Sequence, residues 1–145
     1  MNASRPITIV LGGLVSVLLV TGCGHDNSAK GVAEEFLYRY FIELNQQGAL
    51  QVSEGLAQDK LKKEIELLKG VRSAPDLDLS KSKPFIDYKL METRQMDEQA
   101  IALFYDVSIK SKGGDKYKRQ VVLTTSPVNG VWKVVNFDTY PVDSP

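Results

Sequence analysis

The chain has 145 residues, with 18 basic and 18 acidic side chains, 43% hydrophobic residues, one cysteine and one histidine. That length is one domain's worth, and it suffices to bury about two-thirds of the unfolded surface. The balanced charge excludes nucleic acid as the main partner, and a single cysteine excludes an intramolecular disulfide, so the core alone must stabilise the fold.

Arg5 and Pro6 precede a predominantly apolar run from Ile7 to Val20. Its length is within the range of a signal-peptide core and short of the roughly 20 residues that span a bilayer as a helix. Gly12 and Gly13 weaken it further as a membrane helix. The run closes on Val20-Thr21-Gly22-Cys23, which resembles the bacterial lipobox. That resemblance implies cleavage after Gly22 and diacylglyceryl attachment to the Cys23 thiol, giving a lipidated mature N-terminus held in the membrane. An uncleaved anchor with an incidental cysteine and a secretory signal cut elsewhere are the alternatives. Gly24 rather than Asp follows Cys23, which by resemblance to the lipoproteins of two-membrane bacteria implies the inner leaflet of the outer membrane. In a one-membrane envelope the same anchor implies the outer face of the cytoplasmic membrane. Residues 1–22 are thus expected to be a signal peptide, 23–28 a lipidated tether and 29–145 the folded domain. His25 falls in the tether, so no histidine is left for a catalytic constellation in the domain.

In the domain, Val32, Ala33, Phe36, Leu37, Tyr40, Phe41 and Leu44 recur at spacings of three and four, which predicts one amphipathic helix over 29–46. Asn27 or Ser28 is its N-cap, and Gly48 its stop. A second helical region is expected over 51–69, with Leu56, Leu61, Ile65 and Leu68 on its apolar face, broken near Gly55 and ended by Gly70. Ser73 to Pro84 reads as a solvated loop. Its Asp76, Asp78 and Ser80 loosely match the start of a calcium loop, but the glycine and glutamate such a loop needs are missing, so no metal is expected.

From Phe85 the period changes to two. Strands are expected over 85–96, 99–111, 116–126 and 131–140, joined by hairpin-length turns. Ile101, Leu103, Tyr105, Val107 and Ile109 form the clearest inward face. In the last strand parity puts Trp132 and Val134 on one face and Val131, Val135 and Phe137 on the other, so both faces need cover.

Two helical segments followed by a four-stranded antiparallel meander predict an α+β domain with helices packed on one face of a curved sheet. Two stretches carry the reading further. Phe36-Leu37-Tyr38 through Leu44-Asn45-Gln46-Gln47-Gly48, and Gly130-Val131-Trp132-Lys133-Val134, resemble the first helix and the closing strand of the nuclear transport factor 2-like (SnoaL-like) superfamily. The resemblance implies a cone whose first helix closes the sheet around a pocket, in a superfamily that includes isomerases, dehydratases, non-catalytic partners and envelope lipoproteins. The chain departs from the catalytic members at Ala49, where an Asp is usual, and in lacking a histidine within the domain.

The groups available to line such a pocket are Tyr40, Tyr88, Glu92, Arg94 and Tyr105, with Glu92 and Arg94 placed at its mouth by parity with Ile86, Tyr88 and Leu90. Asp106 falls on the other face of its strand from Tyr105. No base is positioned beside a donor by sequence, so no catalytic residue is assigned. The sharpest charge feature is the basic hairpin of Lys110, Lys112, Lys116, Lys118 and Arg119. It fits anionic headgroups or an acidic partner, and equally a solvated hairpin whose lysines discourage sheet-to-sheet association. The expectation is a membrane-anchored, non-catalytic binding or accessory module without a cofactor, engaging an envelope protein or a small apolar ligand. A cone-pocket isomerase or hydrolase, and a homodimer pairing through the sheet face around Trp132 or the opposite face, are the alternatives.

Overall fold

A computed structural model describes residues 26–72 and 83–142. The apolar leader, Cys23, His25, and Asp76, Asp78 and Ser80 of the calcium-like stretch lie outside the described residues. Helix α1 (Ala29–Leu37) starts at Ser28, whose side-chain oxygen accepts from the Gly31 N–H at 3.0 Å and satisfies one of the first-turn donors. A Cβ at Gly31 would stand 2.1 Å from Asp26 Oδ1, so only glycine fits where the incoming chain folds back over the helix. After Leu37 the helix widens into a π-helical segment (Tyr38–Ile42), with the Glu43 N–H bonded to the Tyr38 carbonyl at 2.9 Å.

The expected single helix over 29–46 is therefore divided, and the stop is earlier than Gly48. Leu44 adopts the left-handed conformation at φ 53°, and Asn45 caps a second short helix, α2 (Gln46–Gln51), accepting from the Gly48 N–H at 2.9 Å. Gly48 lies inside α2. Helix α3 (Gly55–Arg72) begins at a glycine with φ 56°, as the expected break near Gly55 implied, and continues past Gly70. Its buried residues are Ala57 and Leu61, whereas Leu56 is 63% exposed and does not belong to the apolar face.

Four strands follow: β1 (Phe85–Gln95), β2 (Ile101–Lys110), β3 (Lys116–Val128) and β4 (Val131–Pro141), antiparallel in the order β1-β2-β3-β4. Asp97 shapes the first turn by accepting from the Gln99 and Ala100 N–H groups at 2.8 and 2.7 Å. Those bonds to the charged form hold its carboxyl below the usual range. Asn129 and Gly130, with φ of 51° and 78°, make the tight two-residue turn that matches strand twist.

Two β-bulges correct the parity expectations. In β4, Thr125 pairs with Val134 but Thr124 pairs with Asn136, leaving Val135 as the extra residue. Val134 and Phe137 consequently face the same way, into the core, and the expected two-sided apolar strand is resolved without a second covering layer. In β1 the register shifts between Leu90 and Glu92 across Met91. Ile86, Tyr88 and Leu90 pack toward the helices, while Glu92 and Arg94 pair with Phe104 and Ala102 and turn to the outer face.

The core lies between the concave face of the sheet and α1 and α3. Phe36, Leu37, Leu61, Leu103, Tyr105, Val107, Val121, Leu123 and Val134 are essentially without exposure. Phe36 stacks on Tyr40 with ring centroids 5.4 Å apart, and Phe137 meets both rings at 5.1 and 5.3 Å. Such contacts add about 0.5–1.5 kcal/mol each beyond area burial. Among the described residues no helix is long and apolar enough to cross a membrane, and no cluster of side chains could hold a metal ion.

Candidate functional site

Of the five residues expected to line a pocket, the fold brings two together on the concave face. Tyr88 from β1 and Tyr105 from β2 meet edge to face, 6.0 Å between ring centroids, because both belong to the inward rows of adjacent strands. The Tyr105 hydroxyl is buried and has no hydrogen-bond partner among the described residues. Leaving such a group unpaired costs about 1–3 kcal/mol, and the whole Tyr105 side chain is enclosed in the core. Burial first, and then the charge of Glu34 on α1, push both phenols above the usual tyrosine range. Both therefore remain neutral donors at physiological pH.

Tyr40 stands apart from that pair. Its hydroxyl donates to the two Glu64 oxygens at 3.0 and 2.9 Å, and burial, the Glu64 charge and this bond raise its pKa. It ties the π-helical segment to α3. Glu92 and Arg94 stand on the outer face, paired with each other at 2.8 Å, with the Arg94 guanidinium 4.9 Å from the Phe104 ring centroid. The bulge at Met91 removes both from the pocket mouth. Asp106 pairs with Gln120 and is exposed on that same outer face.

Sequence reasoning missed Glu34 and Glu64. Both are half-buried on helix flanks, Glu34 beside the stripe of Val32, Ala33, Phe36 and Leu37. A carboxylate bordering such a stripe is the one available signal. Glu34, whose charge acts on both phenols, also lies 3.7 Å from the Lys30 ammonium group. The arrangement can offer one hydrogen bond to an acceptor in an apolar wall, and the Glu34 charge nearby disfavours an anionic ligand.

A separate groove of about 340 Å³ lies where the chain enters the domain, lined by Val32, Val52, Val131 and Trp132 with Asp26, Glu35 and Lys133 at its margins. Asn27 fixes this end by donating to the Gly130 carbonyl at 3.2 Å and accepting from the Trp132 N–H at 2.9 Å. Trp132 packs partly against the core. The basic hairpin is divided by strand parity. Lys110, Lys116 and Lys118 face outward and Lys112 sits in the turn, while Arg119 pairs with Val107 on the inward side.

No family model and no curated protein matches the sequence. Among solved structures, the chain is similar to a ketosteroid isomerase-like protein from Erwinia carotovora atroseptica, with a TM-score of 0.56 and 13% identity over 80% of this chain and 95% of that one. At that identity the likeness concerns the fold: helices packed on a four-stranded antiparallel sheet in the cone of the nuclear transport factor 2-like proteins.

Proposed function

We propose that the chain is a lipid-anchored envelope protein whose cone domain is a non-catalytic binding module for a small, largely apolar, uncharged ligand. The observation that carries the ligand reading is the buried, unpartnered Tyr105 hydroxyl on the concave face, a neutral donor facing an otherwise apolar wall. The non-catalytic part rests on where the other groups go. Tyr40 is bonded to Glu64, and Glu92 and Arg94 to each other on the outer face; Glu34, paired with Lys30, is the carboxylate whose charge reaches Tyr105, and no hydrogen bond among the described residues joins it to the phenol. The anchoring part rests on the Val20-Thr21-Gly22-Cys23 sequence and on the domain starting a few residues later at Ser28.

The solved neighbour's description suggests the probe. A ketosteroid supplies an apolar body and a carbonyl acceptor, and it is incubated with the full chain while binding and isomerisation are both followed. Binding without turnover, weakened severalfold by Tyr105→Phe, is the expected result; isomerisation would move the assignment to an enzyme. Anchoring is tested separately by labelling cells with a palmitate analogue. Label is expected on the wild-type chain and absent after Cys23→Ser.

A further inference from the structure

Among the described cations without an ion pair, Lys62, Lys63, Lys89 and Lys133 are scattered over α3, β1 and β4, and the others gather at one end of the sheet. Lys30, Arg39, Lys60, Lys69 and Arg94 each contact a carboxylate. Lys83, Lys110, Lys112, Lys116 and Lys118, all at one end of the sheet, have no ion pair or side-chain hydrogen bond among the described residues. Phe85 pairs with Lys110, and Lys110 in turn with Lys116, in one row of the outer face. Two lysines directly opposite each other destabilise a sheet. Placing them there with Lys118 on the same face and Lys112 in the adjoining turn is poor design for a merely solvated hairpin.

The surface between these cations is also shaped. Phe85, 72% exposed, stands between two grooves. One, of about 620 Å³, is lined by Lys83, Phe85, Lys110, Ser111 and Lys112. The other, of about 300 Å³, adds Lys116, Tyr117 and Lys118, with Asp87 as its one acid. The Ser111 hydroxyl, in the larger groove, is buried without a partner among the described residues. Three ammonium groups and a free hydroxyl around a recess match a phosphate in charge and in donors. An exposed aromatic ring ringed by lysines matches the boundary between headgroups and acyl chains.

We propose that this end of the sheet docks on an anionic phospholipid bilayer. Headgroup phosphates occupy the recess between Lys83, Lys110, Lys112 and Ser111, and Phe85 enters the interfacial layer. The site stands at the opposite end of the strands from Asn27 and its bonds to Gly130 and Trp132, about 40 Å along β3 at the rise of a β-strand.

The test incubates the full chain with vesicles and separates bound from free protein by flotation. Vesicles of phosphatidylcholine alone report what the apolar N-terminal segment binds by itself; an equal mixture with phosphatidylglycerol reports the added contribution of the basic end. Binding of the mixture is expected to exceed that of the neutral vesicles and to fall steeply with salt. Lys110→Gln with Lys116→Gln should reduce binding of the mixture about 25-fold, roughly fivefold per cation, and leave neutral-vesicle binding unchanged. The double variant should unfold at the same temperature or higher, because a like-charge pair is removed. Equal binding of both vesicle types, or no change in the double variant, overturns the proposal. Full competition by inorganic phosphate also overturns it, by assigning the recess to a free anion.

Discussion

The two edges of the sheet are built on different plans. Along β4 the backbone is covered by the rest of the fold. The Val134 N–H donates to the Val52 carbonyl at 3.0 Å, and the Glu54 N–H donates to the Val134 carbonyl at 2.9 Å. Further along, the Lys60 ammonium group spans Asn136 Oδ1, the Phe137 carbonyl and Asp138 Oδ1 at 2.7 to 2.9 Å. β1 has no such cover beyond Leu90, and every residue from Met91 to Gln99 is exposed. Its protection is chemical: the bulge at Met91 and the alternating charges of Asp87, Lys89, Glu92 and Arg94, which discourage another strand from pairing with it. One edge is closed by helices and the other is held open but guarded, and the open edge leads at Phe85 into the unneutralised lysines.

That contrast predicts unequal sensitivity to mutation. Phe137 lies beneath the closed edge against Phe36 and Tyr40, and Phe137→Ala should cost about 3–5 kcal/mol, read as a lower midpoint in urea. Tyr88→Ala beneath the open edge, where the side chain is half-buried, should cost about 1–2 kcal/mol. Equal losses would mean that β1 is covered as well as β4.

Lys60→Met isolates the clamp. Both Lys60 and Asp138 are about 40% exposed, so the ion pair itself contributes little. The bonds to Asn136 and to the Phe137 carbonyl add to it, for a total near 1 kcal/mol. The sharper readout is hydrogen exchange. Amides near the β4 edge should exchange faster in the variant, while those of β1 stay as they are.

The open edge is probed by deleting Met91. The residues on either side already pair with consecutive positions of β2, Leu90 with Tyr105 and Glu92 with Phe104, so removing the extra residue preserves the register and straightens the strand. Stability should change by less than about 1 kcal/mol, but a regular exposed edge should self-associate with rising concentration, as sedimentation velocity would report.

These two bulges also mark where the sequence stops being informative. Alternation located all four strands and the inward row of β2, because a half-buried strand must repeat every two residues. It could not locate Met91 or Val135, since an inserted residue leaves no compositional trace and inverts the parity of everything after it. Glu92 and Arg94 were assigned to the wrong face for that reason, and β4 appeared to need cover on both sides. The helix stop at Leu44 was equally hidden, because a left-handed residue is expected to be glycine and Gly48 stood nearby. The Tyr88–Tyr105 pair was readable from parity. The Glu34 and Glu64 partners depend on how the helices are rotated against the sheet, which periodicity leaves open.

Tyr105→Phe gives the smallest effect at neutral pH and the most direct test of the concave face. The hydroxyl has no partner among the described residues, so its removal should leave stability unchanged or raise it by up to about 1 kcal/mol. In alkali the variant should separate from the wild type. Tyrosines of the unfolded chain ionise near pH 10, whereas burial and the Glu34 charge hold Tyr105 protonated above that in the fold. A folded-state pKa raised in this way contributes stability that is intact below about pH 10 and is lost as the pH rises further, because the unfolded state alone releases the proton. Removing the phenol removes that part of the loss, so the variant's stability should fall less steeply in alkali. Identical alkaline slopes would place Tyr105 in water, and with it the binding site proposed on the concave face.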